Sequence, residues 1–82
     1  MRIDKFLKVS RLIKRRTVAS DACDGEHISV NGKQVKPSYR VKIGDEIEIR
    51  FGQRTLVVRV LSLAEHIGKA EASSMFEVIS QS

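Results

Sequence analysis

Seven cations fall within the first sixteen residues: Arg2, Lys5, Lys8, Arg11, Lys14, Arg15 and Arg16, against one acid, Asp4. The remaining residues carry eight cations and nine acids, so the formal charge of +5 comes entirely from the opening segment. Charge gathered in this way repels itself in the free protein, and a polyanion is its natural complement. The chemistry on offer is binding: a guanidinium can take two phosphate oxygens at once or stack on a base, and an ammonium acts as a point charge. Residues for covalent chemistry do not assemble in the pattern. His27 and His66 stand far apart, with no cysteine or carboxylate spaced around either as a metal site requires. The five glycines are scattered as turn residues and form no phosphate loop, and Asp45, Glu46 and Glu48 fall at a turn and on the solvent side of a strand. No enzyme, catalytic residue, metal or cofactor is expected.

The elements that must position these cations follow from periodicity. At about 100° per residue, Ile3, Phe6, Leu7, Val9 and Ile13 gather on one side of an opening helix, and Lys5, Lys8, Arg11 and Arg15 project from the other. A solvated basic face would give the same pattern, so the helix alone leaves both readings open. Thr17 reads as the N-cap of a second helix through Val18, Ala19, Ala22 and Cys23, which places Lys14-Arg15-Arg16 in the turn between the two. Gly25 reads as the left-handed stop of that helix. Ile28 and Val30 form a short strand, Asn31-Gly32 a tight hairpin turn, and Lys33-Gln34-Val35 the return, which Pro37 interrupts. Alternation resumes at Val41 and Ile43, turns at Gly44-Asp45, and continues through Ile47, Ile49 and Phe51. Leu56–Leu61 reads as a covered strand, residues 62–74 as a loop with one helical turn near Lys69 to Ala72, and Met75, Phe76, Val78 and Ile79 as a last strand. The expected fold class is α+β: two short N-terminal helices packed on a small, mainly antiparallel twisted sheet, in one domain spanning residues 1–82.

Composition narrows the partners. With no tryptophan, one tyrosine (Tyr39), and Phe6, Phe51 and Phe76 all in apolar patterns, the chain offers no stacking platform for a single strand. Folded RNA, read through its backbone, shape and 2′-hydroxyls, fits better. The lone Cys23 reads as a small buried hydrophobe. Arg40, Lys42, Arg50, Arg54 and Arg59 read as a solvated face mixed with acids. No apolar run approaches the roughly twenty residues that cross a bilayer, and the first helix needs its apolar side for the core. A cytoplasmic protein with no membrane partner is expected.

Arg2-Ile3-Asp4-Lys5-Phe6-Leu7, Arg11, Arg16-Thr17, Ala19, Ile28-Ser29-Val30-Asn31-Gly32, Pro37-Ser38 and Val41-x-x-Gly44-Asp45-x-Ile47 together resemble the αL RNA-binding motif. This is the small domain named after the fourth small-subunit ribosomal protein. The resemblance covers residues 1–51 and leaves 52–82 as a C-terminal strand extension. Within that family the run Met1 to Thr17 and the tail ending in Met75-Phe76 are most similar to the stand-alone bacterial P-site factors of ribosome-associated quality control, related to heat-shock protein fifteen. The resemblance implies RNA contacts at Arg2, Lys5, Lys8, Arg11, Arg15 and Arg16. Asp4 would either orient Arg2 or Lys8, or favour the helix N-terminus electrostatically. It implies a monomer partnered by 23S rRNA and peptidyl-tRNA on obstructed large ribosomal subunits, and by the tail-elongating quality-control protein during alanine tailing. The alternatives are a ribosome-assembly or heat-stress factor binding rRNA, and a basic module docking an acidic protein. One departure is notable: relatives carry glycine directly before a basic residue at the strand entry, whereas here Gly25 comes one place early and Glu26-His27 follow.

Overall fold

The computed structural model describes residues 1–65 and 68–82. Helices α1 (Ile3–Val9) and α2 (Arg16–Asp24) come first, then strands β1 (Ile28–Val30), β2 (Lys33–Gln34), β3 (Glu46–Phe51) and β4 (Arg54–Val60). A 3₁₀ helix (Lys69–Met75) and strand β5 (Phe76–Gln81) follow. The five strands make one sheet in the order β2-β1-β3-β4-β5 with every neighbour antiparallel. The α+β expectation holds, including the last strand and the helical turn before it. His66 lies outside the described residues.

The core forms where the two periodicities meet. On β3, Ile47 and Ile49 are buried between partly exposed Glu46, Glu48 and Arg50. The register sets Ile47 between Val30 and Val58, and Ile49 between Ile28 and Leu56, so one sheet face is continuous hydrocarbon. Onto it α1 lays Ile3, Phe6 and Leu7, the i, i+3, i+4 set of one helix face, all fully buried. Each such side chain contributes about 1.5–3 kcal/mol by leaving water. Ala19 and Cys23, one turn apart on α2, complete the layer. Cys23 is the buried hydrophobe expected of it: burial first, then the charges of Asp4 and Asp24, push its thiol up to about 11.

Several boundaries differ from the sequence expectation, each for a local reason. Helix α1 stops at Val9, where Ser10 returns its amide to the Phe6 carbonyl (2.9 Å) and its hydroxyl to the Leu7 carbonyl (3.3 Å). Arg11 then turns left-handed (φ 63°), and Ile13 reaches the core from a turn, its amide bound to the Leu7 carbonyl at 3.0 Å. Helix α2 starts at Arg16, with Arg15 at the N-cap and no side-chain cap, so Thr17 lies inside the first turn and Val18 is half exposed. At its end Gly25 keeps φ −83° and Glu26 takes the left-handed conformation instead (φ 65°). The Glu26 and His27 amides close onto the Cys23 and Ala22 carbonyls (3.2 and 2.9 Å), a Schellman stop displaced one residue past the glycine.

The hairpin is as expected, with Asn31 (φ 51°) and Gly32 (φ 85°) both left-handed, as a type I′ turn requires. The segment around Val41 and Ile43 is not a strand: Val41 is buried, Ile43 is exposed, and among the described residues the pairing there is an isolated bridge between Arg40 and Arg2. Phe51, at the end of β3, is 48% exposed because the three-residue β1 leaves it no partner on that side. Arg50 and Arg59 are not merely solvated. Arg50 pairs with Glu48 at 2.7 Å, and Arg59 with Glu46 and Glu77 at 3.1 and 3.5 Å.

Candidate nucleic-acid interface

Asp4 is the residue around which the basic surface is built. Its carboxylate is only 4% exposed, yet it sits in the first turn of α1 among cations. Arg2 Nη2 donates to Asp4 Oδ2 at 3.2 Å, and the Arg16 guanidinium approaches both carboxylate oxygens at 3.5 Å. The Lys5 amide donates to Oδ1 at 2.8 Å. A buried carboxylate is tolerable when its lone pairs are taken up in this way. Asp4 thus meets Arg2 and the first turn of its own helix, and it meets Arg16 where the sequence suggested Lys8. Helices α1 and α2 pack together, which brings the starts of both to one carboxylate although twelve residues separate Asp4 from Arg16. The two guanidiniums remain close to half exposed, 45% and 48%, so each is fixed at its base and open at its outer edge.

The other expected residues are less uniform. Lys8, Arg11, Lys14 and Arg15 are exposed, and none makes an ion pair among the described residues. Lys8 lies in the last turn of α1, while Arg11 and Arg15 lie in the connecting turn, not on the helix face where the 100° wheel puts them. Lys5 Nζ is committed to Glu65 Oε1 at 2.9 Å. Within this segment, then, Arg2, Lys8, Arg11, Lys14, Arg15 and Arg16 present open cationic edges.

A second carboxylate does for the sheet side what Asp4 does for the helices. Asp45, read from sequence as solvated at a turn, is 8% exposed and accepts from Asn31 Nδ2 (3.1 Å), the Tyr39 hydroxyl (2.9 Å) and the Lys42 amide (2.9 Å). Burial alone would raise its pKa, but these three donors and the Lys42 charge outweigh it and hold the carboxyl below the usual aspartate range. Tyr39 is pushed up, by burial first and then by its bond to Asp45 and that group's charge. This hub pins the 35–45 loop, which in turn grips the chain start: the Ile3 amide binds the Tyr39 carbonyl at 2.7 Å and the Val41 amide the Met1 carbonyl at 3.0 Å. The signal was present in the ordered set Asn31-Gly32, Pro37-Ser38 and Gly44-Asp45, but the burial that gives it meaning appears only in three dimensions.

The S4 domain family model matches residues 1–47. A protein of Streptococcus pneumoniae named RQC P-site tRNA stabilizing factor is 49% identical over 81 residues, covering 99% of this chain and 92% of that protein. Its namesake in Bacillus subtilis is 51% identical over 81 residues, covering 99% and 94%. The structure of heat shock protein 15 from Vibrio cholerae, described as trimeric, superposes with a TM-score of 0.89 at 28% identity, covering 98% of this chain and 82% of that one. Matched over more than half its length by the family model, and about half identical to these relatives from end to end, the chain belongs to the S4 domain family, among the proteins named RQC P-site tRNA stabilizing factor.

Proposed function

We propose that this chain is a non-catalytic RNA-binding factor of the bacterial cytoplasm. It binds tRNA and 23S rRNA on obstructed large ribosomal subunits that still carry peptidyl-tRNA, and supports alanine tailing by the tail-elongating quality-control protein. The observation that carries the reading is the pair of half-exposed guanidiniums, Arg2 and Arg16, held by one buried carboxylate in a chain whose relatives are named for P-site tRNA. In this reading residues 1–51 are the binding core and 52–82 a strand extension, and the chain acts as a monomer. Arg2, Lys8, Arg11, Arg15 and Arg16 contact RNA phosphates or 2′-hydroxyls, Lys5 does so on release from Glu65, and Asp4 is the orienting residue. Recognition rests on fixed charge geometry and on the fold of the RNA.

The test is sedimentation of the tagged protein through a gradient of host lysate, with bound RNA sequenced. Co-migration with free large subunits bearing tRNA, lost in Arg16→Ala while the fold is retained, is the expected result; unchanged co-migration of that variant would reject the site. The likeness to heat shock protein 15 keeps a second reading, an rRNA-binding stress or assembly factor, which predicts migration with particles lacking tRNA.

A further inference from the structure

Between Gly32 and Gly44 the chain carries Lys33, Lys36, Arg40 and Lys42 and no acid. All four are exposed, and none makes an ion pair among the described residues, in contrast to Arg50 and Arg59 on the neighbouring strands. Three backbone hydrogen bonds lay this loop against the chain start: Ile3 to Tyr39 and Val41 to Met1, given above, and the Asp4 amide to the Pro37 carbonyl at 3.4 Å. Arg2 and Arg40 face one another across the antiparallel bridge. Side chains of residues opposed in this way leave on the same side, about 4.5–5.5 Å apart at Cβ, and like charges so placed repel. Asp4 cannot relieve Arg40, because its oxygens already serve Arg2, Arg16 and the Lys5 amide. Lys42 spends part of its field on Asp45. Among the described residues, Arg40 and Lys36 make no ion pair and lie beside the proposed RNA-binding arginines.

We infer that the loop 36–42 is a second limb of the binding face, on which Arg40, with Lys36 beside it, takes phosphates of the RNA backbone next to those held by Arg2. The inference rests on the RNA-binding reading above. It assigns function to Arg40, which sequence pattern alone places on a solvated face, and to Lys36, and the Asp45 hub becomes the device that holds the limb in place.

The test is binding to purified large subunits, with and without P-site tRNA, as KCl is raised from about 50 to about 200 mM. Each phosphate contact contributes about 0.7–0.9 to the slope of log K against log salt. Lys36→Gln/Arg40→Gln should therefore flatten the slope by about 1.5 and weaken binding roughly tenfold, with unchanged circular dichroism. Arg40→Lys should restore most of the slope in the Arg40 position, and Arg59→Gln should leave it alone. Flattening on both kinds of subunit assigns the phosphates to rRNA, and flattening only with tRNA present assigns them to tRNA; either supports the limb. If the double variant binds like wild type while Arg16→Ala fails, the limb is idle and the RNA reading survives. If both variants bind like wild type, the two readings fall together. If a defect appears only when the tail-elongating protein is added, the loop docks protein and the inference is overturned.

Discussion

Removing a negative charge from a phosphate-binding face should, by Coulomb's law alone, strengthen binding. Asp4 is where that rule is expected to fail. Its carboxylate fixes Arg2 and Arg16 at their inner edges, and Asp4→Asn keeps the shape while releasing both guanidiniums. We expect large-subunit affinity to fall, and thermal unfolding to report a loss of about 1–3 kcal/mol from a buried charge-assisted cluster. Tighter binding by this variant would show that Asp4 merely dilutes the field. Sequence made Arg2 and Arg16 visible as cations and Asp4 as the lone acid among them. It did not make the triad visible, because Asp4 meets Arg16 only through the packing of α1 on α2, and periodicity within one helix is silent about its neighbour.

At the scale of elements, the ends carry the information that the middles lack. The α2 stop places a glutamate where a left-handed turn favours glycine, and Glu26 bears that backbone at φ 65°. A non-glycine residue in that conformation costs about 1–2 kcal/mol, partly offset by the entropy glycine loses on folding. Glu26→Gly should therefore raise stability by about 0.5–1 kcal/mol, read as a higher denaturation midpoint, provided that Arg50 keeps its 2.6 Å bond to the carbonyl of residue 26. The Asp45 hub gives a pH test. The folded protein keeps this carboxyl ionised to lower pH than the unfolded chain does, so in that interval the unfolded state binds more protons and stability falls with acid. Asp45→Asn should be less stable than wild type at pH 7, and the gap should close as pH drops below about 4. A constant gap in thermal melts from pH 7 to pH 3 would show that the ionised form of Asp45 adds nothing. The hairpin was legible because Asn-Gly dictates its own dihedrals. Asp45 was not, since its donors Asn31 and Tyr39 arrive from 14 and 6 residues away.

For the molecule as a whole, a small core is set against a concentrated charge. Chains of this length have net stabilities of about 0.05–0.15 kcal/mol per residue, so one core truncation removes a large share. Leu7 is fully buried under the same helix that carries Lys5 and Lys8, and Leu7→Ala should cost about 2–5 kcal/mol. Its effect on ribosome binding should look like that of Arg16→Ala at 37 °C but have a different origin. Cooling, or an osmolyte that favours compact states, should restore binding to Leu7→Ala, because the population of folded chain recovers. Neither should restore Arg16→Ala, whose side chain is half exposed and whose loss removes a contact and leaves the core intact. Circular dichroism recorded beside the binding curves separates the two, since binding by Leu7→Ala should follow the folded fraction point by point. If Arg16→Ala tracked the folded fraction as well, Arg16 would belong to the scaffold, and the binding face would have to be drawn without it.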